Sequence, residues 1–141
     1  MATRTANARW EGDLPSGKGR MAFGSGAWEG QYSFSSRFEE GTGSNPEELI
    51  GAAHAGCFSM ALSNILAQAG HKPDSVETVA HVHLEKGDDG PSITRIELVT
   101  EAVVPGIGED DFQEHAEAAK KGCPVSKVLA GADISLNATL K

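Results

Sequence analysis

The chain contains two cysteines, Cys57 and Cys123, in different settings. Cys57 lies in the middle of Asn45–Gly70, the one long helical pattern, whereas Cys123 follows Lys121-Gly122 and precedes Pro124-Val125-Ser126, where a turn opens a new short helix. No CxxC or disulfide-framework spacing links them, so the question is thiol reactivity. A sulfur attacks as its thiolate, which needs a nearby cation or oriented N–H donors. Cys57 lies about three turns from its helix start, beyond the reach of the helix dipole. Burial there raises a thiol's pKa. It must therefore borrow a cation, and Arg37, just before the glycine-rich turn into the helix, is best placed; Arg20 and Lys18 are the alternatives. Cys123 could activate itself at a helix N-cap, where free N–H groups favour a thiolate. The competing reading is a buried inert Cys57 among alanines and a Cys123 that merely fills a turn. Spacing alone does not say whether the fold unites the two sulfurs.

His54 stands one turn before Cys57 and could be its base in a Cys–His acyl-transfer enzyme. The plainer reading is a helix-face histidine bonded to backbone or water, and no acid or oxyanion-loop signature completes a triad. His81 and His83 share a strand face, but two ligands are too few for a metal site. The glycines at 24, 26 and 30 fit no phosphate-binding loop. No metal or cofactor is expected.

The elements that must position these residues are punctuated by turns and caps. Ala8–Trp10, Arg20–Phe23 and Gln31–Phe38 read as a meander of short antiparallel strands, broken at Leu14–Gly19 and Gly24–Gly30. Asn45 as N-cap, Pro46 at the first helical position and Glu48 in a capping box open the long helix; Gly70 and Pro73 stop it. This helix has small or apolar residues on nearly every face, which asks for burial all round and for a second subunit to complete the cover. Ala80, Val82 and Leu84 alternate with polar residues, GDDGPS turns the chain, and Ile96, Leu98, Ala102 and Val104 answer as a hairpin. Glu109–Lys121 reads as a second helix, acidic at its start and basic at its end. Ile134, Leu136, Ala138 and Leu140 form a last strand. The class is α+β, a single domain over residues 1–141.

The 141 residues carry a formal charge of −8, which argues against nucleic acid and anionic membranes as partners. The first residues show no apolar signal segment, so a cytoplasmic location is expected, with both cysteines free or transiently paired. Leu49–Ala69 is uncharged and long enough to span a bilayer. Its alanines, glycines, serines, His54, Asn64 and Gln68 make a buried helix of a soluble protein the better reading.

Asn45-Pro46-Glu47-Glu48-Leu49-Ile50-Gly51-Ala52-Ala53-His54-Ala55-Gly56-Cys57-Phe58-Ser59-Met60-Ala61-Leu62 closely resembles the OsmC branch of the OsmC/Ohr family, the osmotically inducible and organic hydroperoxide resistance proteins. Gly122-Cys123-Pro124-Val125-Ser126-Lys127-Val128-Leu129 matches its second cysteine motif. Trp10-Glu11-Gly12, Arg37-Phe38-Glu39 and Val104-Pro105-Gly106-Ile107 extend the match over nearly the whole chain. The resemblance implies antiparallel sheets around a long central helix in an intertwined homodimer. It also implies a cysteine peroxidase that reduces organic hydroperoxides and hydrogen peroxide, recharged by a dithiol such as a lipoyl group on a carrier protein. Cys57 is then the peroxidatic cysteine, Cys123 the resolving one, Arg37 the active-site arginine and Glu47 its acid. The Ohr branch takes its arginine from an earlier turn, here Gly17-Lys18-Gly19-Arg20. Ten residues of helix separate Glu47 from Cys57 by about 15 Å, so Glu47 is expected to serve the Cys57 of the other subunit. The rival is a dimeric binding module whose cysteines are inert.

Overall fold

Glycine and aromatic residues shape the first of two compact units, which runs to Leu49; the second runs from Ile50 to Lys141. The structure, a computed structural model, describes residues 2–141. Strands β1 (Ala6–Glu11), β2 (Lys18–Phe23) and β3 (Glu29–Tyr32) form the expected antiparallel meander in that order. Gly19 on β2 faces Trp10 on β1 and Tyr32 on β3, whose rings lie 5.3 Å apart. A Cβ at Gly19 would meet those rings at 2.5–2.6 Å, so only glycine fits beneath them.

The run Gln31–Phe38, expected as a strand, is a strand only to Tyr32. Its second half is a short helix, α1 (Phe34–Phe38). Ser33 and Ser36 decide this: Ser36 N–H donates to Ser33 Oγ (3.1 Å) and Ser33 N–H donates to Ser36 Oγ (2.8 Å). That is a capping box closed by two serines rather than by a serine and a glutamate. Phe34 and Phe38 then stand one turn apart, with ring centroids separated by 5.0 Å. Their aromatic character suggested β structure, whereas their spacing was helical.

The long helix α2 (Pro46–Gln68) starts and stops as its caps require. Glu48 N–H donates to Asn45 Oδ1, and Asn45 Nδ2 returns a bond to the Glu48 carboxylate, both at 2.8 Å. At the far end Gly70 adopts φ +91° and His71 N–H reaches Leu66 O at 2.8 Å.

In the second unit, β4 (Ser75–Gly87) and β5 (Gly90–Val103) form a long hairpin, and α3 (Glu109–Gly122) and α4 (Pro124–Val128) lead to β6 (Asp133–Leu140). β6 runs parallel to β5, so this sheet is mixed, with the order β4-β5-β6. A parallel neighbour needs a crossover, and the α3–α4 segment provides it. His54, Phe58, Leu62 and Leu66 repeat every fourth residue along α2 and are all fully buried. The last three pack with Ile96, Leu98 and Ala102 of β5 and Phe112, Ala116 and Ala119 of α3. Each such large apolar side chain contributes about 1.5–3 kcal/mol. Thus α2, long and apolar enough to cross a bilayer, carries the core of this unit. Between Phe58 and Leu62 on the same helix, Met60 is 76% exposed.

One polar chain crosses this interior. Thr100 donates to Glu77 O at 3.0 Å, which leaves it to accept from Thr78 (2.9 Å), which in turn accepts from Ser59 (2.8 Å). Each hydroxyl is satisfied, so the buried Thr100 fixes the register of helix on sheet without an unpaired group. Replacing Leu62 with alanine lowers the free energy of unfolding by about 2–5 kcal/mol. Urea titrations followed by circular dichroism at fixed protein concentration check this.

Candidate active site

The second unit brings the two cysteines together. Cys123 joins two helices: its N–H donates to Ala119 O (3.0 Å), closing α3, and its carbonyl accepts from Lys127 N–H (3.1 Å), opening α4. Pro124 takes the first position of α4, as its missing donor allows. The Cys123 Sγ is thereby held 2.8 Å from Cys57 Sγ on α2, the two thiols sharing a hydrogen bond. Both are free, Cys123 buried and Cys57 half-buried. A disulfide bond is about 2.05 Å long, so the sulfurs stand close enough for a two-electron oxidation, with loss of both thiol protons, to join them.

The two sulfurs differ in acidity. Burial pushes the Cys57 thiol up, and its hydrogen bond to Cys123 adds to this. Burial also pushes Cys123 up. Hydrogen bonds from Cys57, from the Ser126 N–H and hydroxyl and from the Val125 N–H outweigh it, so Cys123 is lowered overall. Of the two, Cys123 is the sulfur that ionises more readily. The sequence expectation for Cys57, raised by burial and without help from its own helix, agrees.

His54 is not aimed at Cys57. Its ring Nε2 lies 2.7 Å from Ser126 Oγ on α4, and its Nδ1 has no partner among the described residues. Burial lowers its pKa and keeps the imidazole neutral. A Cys–His acyl-transfer site thus lacks its base contact. Sequence reasoning missed Ser126; its place three residues after Cys123, one helical turn, was the available signal.

The first unit assembles the other pair. Buried Ser36 donates to Ser44 O (2.7 Å), and Asn45 Nδ2 donates to Ser36 O (3.2 Å), tying α1 to the start of α2. Arg37 and Glu47 meet as a result. Arg37 Nε lies 3.2 and 3.3 Å from the two Glu47 oxygens, and its Nη2 lies 2.8 Å from Oε1. Such forked bonding fixes the guanidinium plane. The Glu47 side chain is 10% exposed and that of Arg37 35% exposed, so the pair is anchored on its acidic side and open on its basic side. Arg37 lies over the Phe38 ring, 5.2 Å from its centre. It also lines a cleft of about 420 Å³ with Trp10, Leu14, Tyr32, Phe34 and Phe38. Arg20, the alternative cation, is paired with Glu29 at 3.1 Å on the exposed sheet surface. His83 lies beside Glu97 at 3.0 Å, and His81 stands on the same hairpin.

The sequence model of a family described as OsmC-like protein matches residues 39–137. Peroxiredoxin OsmC of Escherichia coli (strain K12) is 51% identical over 139 residues, 98% of this chain and 96% of that one. An organic hydroperoxide resistance protein-like protein of Staphylococcus epidermidis is 31% identical over 100 residues, 70% of this chain and 71% of that one. Among solved structures, an OsmC-like protein of unknown function from Vibrio cholerae gives a TM-score of 0.77 at 17% identity, covering 98% of this chain and 99% of that one. The organic hydroperoxide resistance protein OhrB of Bacillus subtilis gives 0.68 at 24%, covering 97% and 98%. These two likenesses bear on the fold.

Stoichiometric peroxide is expected to convert the Cys57–Cys123 contact into an intramolecular disulfide. Non-reducing peptide mapping should find the linked peptides in good yield. Bridges only between chains, or Cys57 sulfinic acid beside a free Cys123, would contradict it.

Proposed function

The chain belongs to the OsmC-like protein family, and we propose that it is a cysteine-based peroxidase that reduces organic hydroperoxides, and hydrogen peroxide as well. The contact of two free thiols at 2.8 Å carries this reading. An inert binding module has no use for it. The Cys57 thiolate attacks the terminal peroxide oxygen, the O–O bond breaks, and an alcohol or water leaves while Cys57 becomes a sulfenic acid. Cys123 condenses with that sulfenic acid to a disulfide and water. A dithiol, such as a lipoyl group on a carrier protein, reduces the disulfide by exchange.

Burial works against the first step, because it disfavours the charged form of Cys57. The step needs a fixed cation, and the Arg37–Glu47 fork is the preorganised one. Arg37 stabilises the thiolate and donates to the oxyanion that leaves. The aromatic cleft beside Arg37 takes the apolar part of an organic hydroperoxide. The active unit is a homodimer in the cytoplasm. A partner's helix covers the exposed Met60, and each Arg37–Glu47 pair serves the Cys57 of the other subunit, since helix rise alone separates Glu47 from Cys57 by about 15 Å within a chain.

Replacing Arg37 with alanine slows peroxide consumption about 10²–10³-fold and raises the pH at which Cys57 alkylates, whereas Arg20→Ala leaves both near wild type. Stopped-flow assays and alkylation-rate profiles against pH separate the two arginines. A larger effect from Arg20→Ala would assign the cation wrongly here.

Mixing inactive Glu47→Ala and Cys57→Ala proteins under conditions that exchange subunits restores activity, because each heterodimer keeps one intact site. Mass spectrometry of the exchanged mixture with no recovered turnover would place Glu47 and Cys57 in the same subunit's site.

A further inference from the structure

Among the described residues, two side-chain hydrogen bonds join α2 to the segment that opens α4, and the chemistry above uses one of them. Cys57 Sγ lies 2.8 Å from Cys123 Sγ, and His54 Nε2 lies 2.7 Å from Ser126 Oγ. The spacing matches on both sides: three residues from His54 to Cys57, and three from Cys123 to Ser126. Three residues are close to one helical turn, so the contacts form two rungs on one face of each segment.

The second rung is interior structure. His54 is fully buried and Ser126 is 6% exposed. His54 Nδ1 has no partner among the described residues, and a proton there would bury an N–H without an acceptor. The proton therefore sits on Nε2, which donates to Ser126 Oγ. Two apolar side chains of similar shape would serve a core as well, so the bond calls for a further reason. The brevity of α4 supplies one. Five residues of helix do not hold themselves in water. The backbone at Cys123 leaves the helical range, with ψ 124°, so α3 stops there and does not set the course of α4. Leu129 packs against the core just beyond α4, which leaves the two rungs to fix its opening turn.

We propose that the His54–Ser126 bond is a clamp that keeps Cys123 within reach of Cys57 after Cys57 has been oxidised. The proposal rests on the peroxidase reading above. Once Cys57 carries an oxygen, the thiol–thiol bond of the resting state is gone, and with it one rung. The other contains neither sulfur and persists through dithiol, sulfenic acid and disulfide. In the closing step the Cys123 sulfur forms the S–S bond, the S–O bond of Cys57 breaks, and hydroxide leaves with the proton that Cys123 gave up, as water. The Cys57 sulfur is reduced and the Cys123 sulfur oxidised by the same amount, so no further oxidant is needed. His54 and Ser126 are positioning residues in this step: they set how often Cys123 stands in line, and hence how far closure outruns a second peroxide.

The test follows single turnovers of the full-length protein with tert-butyl hydroperoxide: peroxide consumption, then disulfide and Cys57 sulfinic acid by acid quench, alkylation and mass spectrometry. Ser126→Ala should leave the first rate unchanged, slow closure about tenfold and raise the sulfinic fraction in step. Ser126→Thr, which keeps the hydroxyl, should restore both. His54→Phe, which leaves Ser126 in place, should slow closure as much as Ser126→Ala, and the double variant should be no slower than either, because one bond is lost in all three. Circular dichroism verifies folding; should Ser126→Ala not fold, His54→Gln, whose amide reaches the position of Nε2, should close faster than His54→Asn, which reaches only that of Nδ1. Unaltered closure in Ser126→Ala overturns the clamp. So does slowing by Ser126→Ala but not by His54→Phe, which assigns the effect to the hydroxyl alone, and so does a first step slowed as much as closure, which assigns the pair to the fold at large. A wild-type protein that forms no sulfenic acid overturns the peroxidase reading and the clamp with it.

Discussion

Removing a thiol from water makes its ionisation harder, and the second unit sets two thiols, one buried and one half-buried, in contact but unequal in how readily each ionises. Cys57 alone, on the inner part of an apolar helix, has no local means of bearing a negative charge. Cys123 is lowered overall, because its contact with Cys57 and the donors of Ser126 and Val125 at the start of α4 outweigh its burial. The resting asymmetry suits a cycle in which Cys57 acquires charge only where a cation is brought to it. Ionisation of Cys57 then becomes conditional, and a thiol that ionises conditionally is protected from unproductive chemistry elsewhere.

The Arg37–Glu47 fork is the counterpart in the first unit, and it depends on a small polar scaffold. Ser33, Ser36, Ser44 and Asn45 fasten α1 to the start of α2 through short hydrogen bonds. Without them a five-residue helix would have little reason to persist, since isolated short helices are marginal in water. The arginine is therefore placed by caps and turns rather than by a core. With its acid nearly buried, the guanidinium keeps its orientation while its other edge stays open.

Local signals were the readable ones. Asn45, Pro46, Glu48 and Gly70 marked the long helix because capping is written in contiguous residues, and the alternation of Ile96, Leu98 and Ala102 marked the inner face of a strand for the same reason. The Gln31–Phe38 run failed where two signals competed: aromatic residues suggested a strand, while a serine-to-serine box imposed a helical turn. The parallel pairing of β6 with β5 was not legible, since strand direction is fixed by the path of the intervening helices and not by the strand's own pattern. The meeting of Cys57 with Cys123, 66 residues apart, and that of His54 with Ser126 needed the tertiary fold. Resemblance to known motifs named the cysteines, but the hydrogen bonds around them came only from geometry.

The closeness of the two sulfurs also limits the damage that excess oxidant can do. A sulfenic acid faces two fates, capture by a neighbouring thiol or attack by a second peroxide that drives it irreversibly to sulfinic acid. A well-aligned intramolecular partner competes as though present at an effective concentration of about 10⁵–10⁸ M, far above any peroxide dose a cell survives. With Cys123 2.8 Å away, the race is decided by proximity before diffusion supplies a rival. Such an enzyme tolerates peroxide surges that would silence a one-cysteine counterpart. The cost is that each turnover ends in a closed bridge, so its endurance is governed by the supply of reducing equivalents.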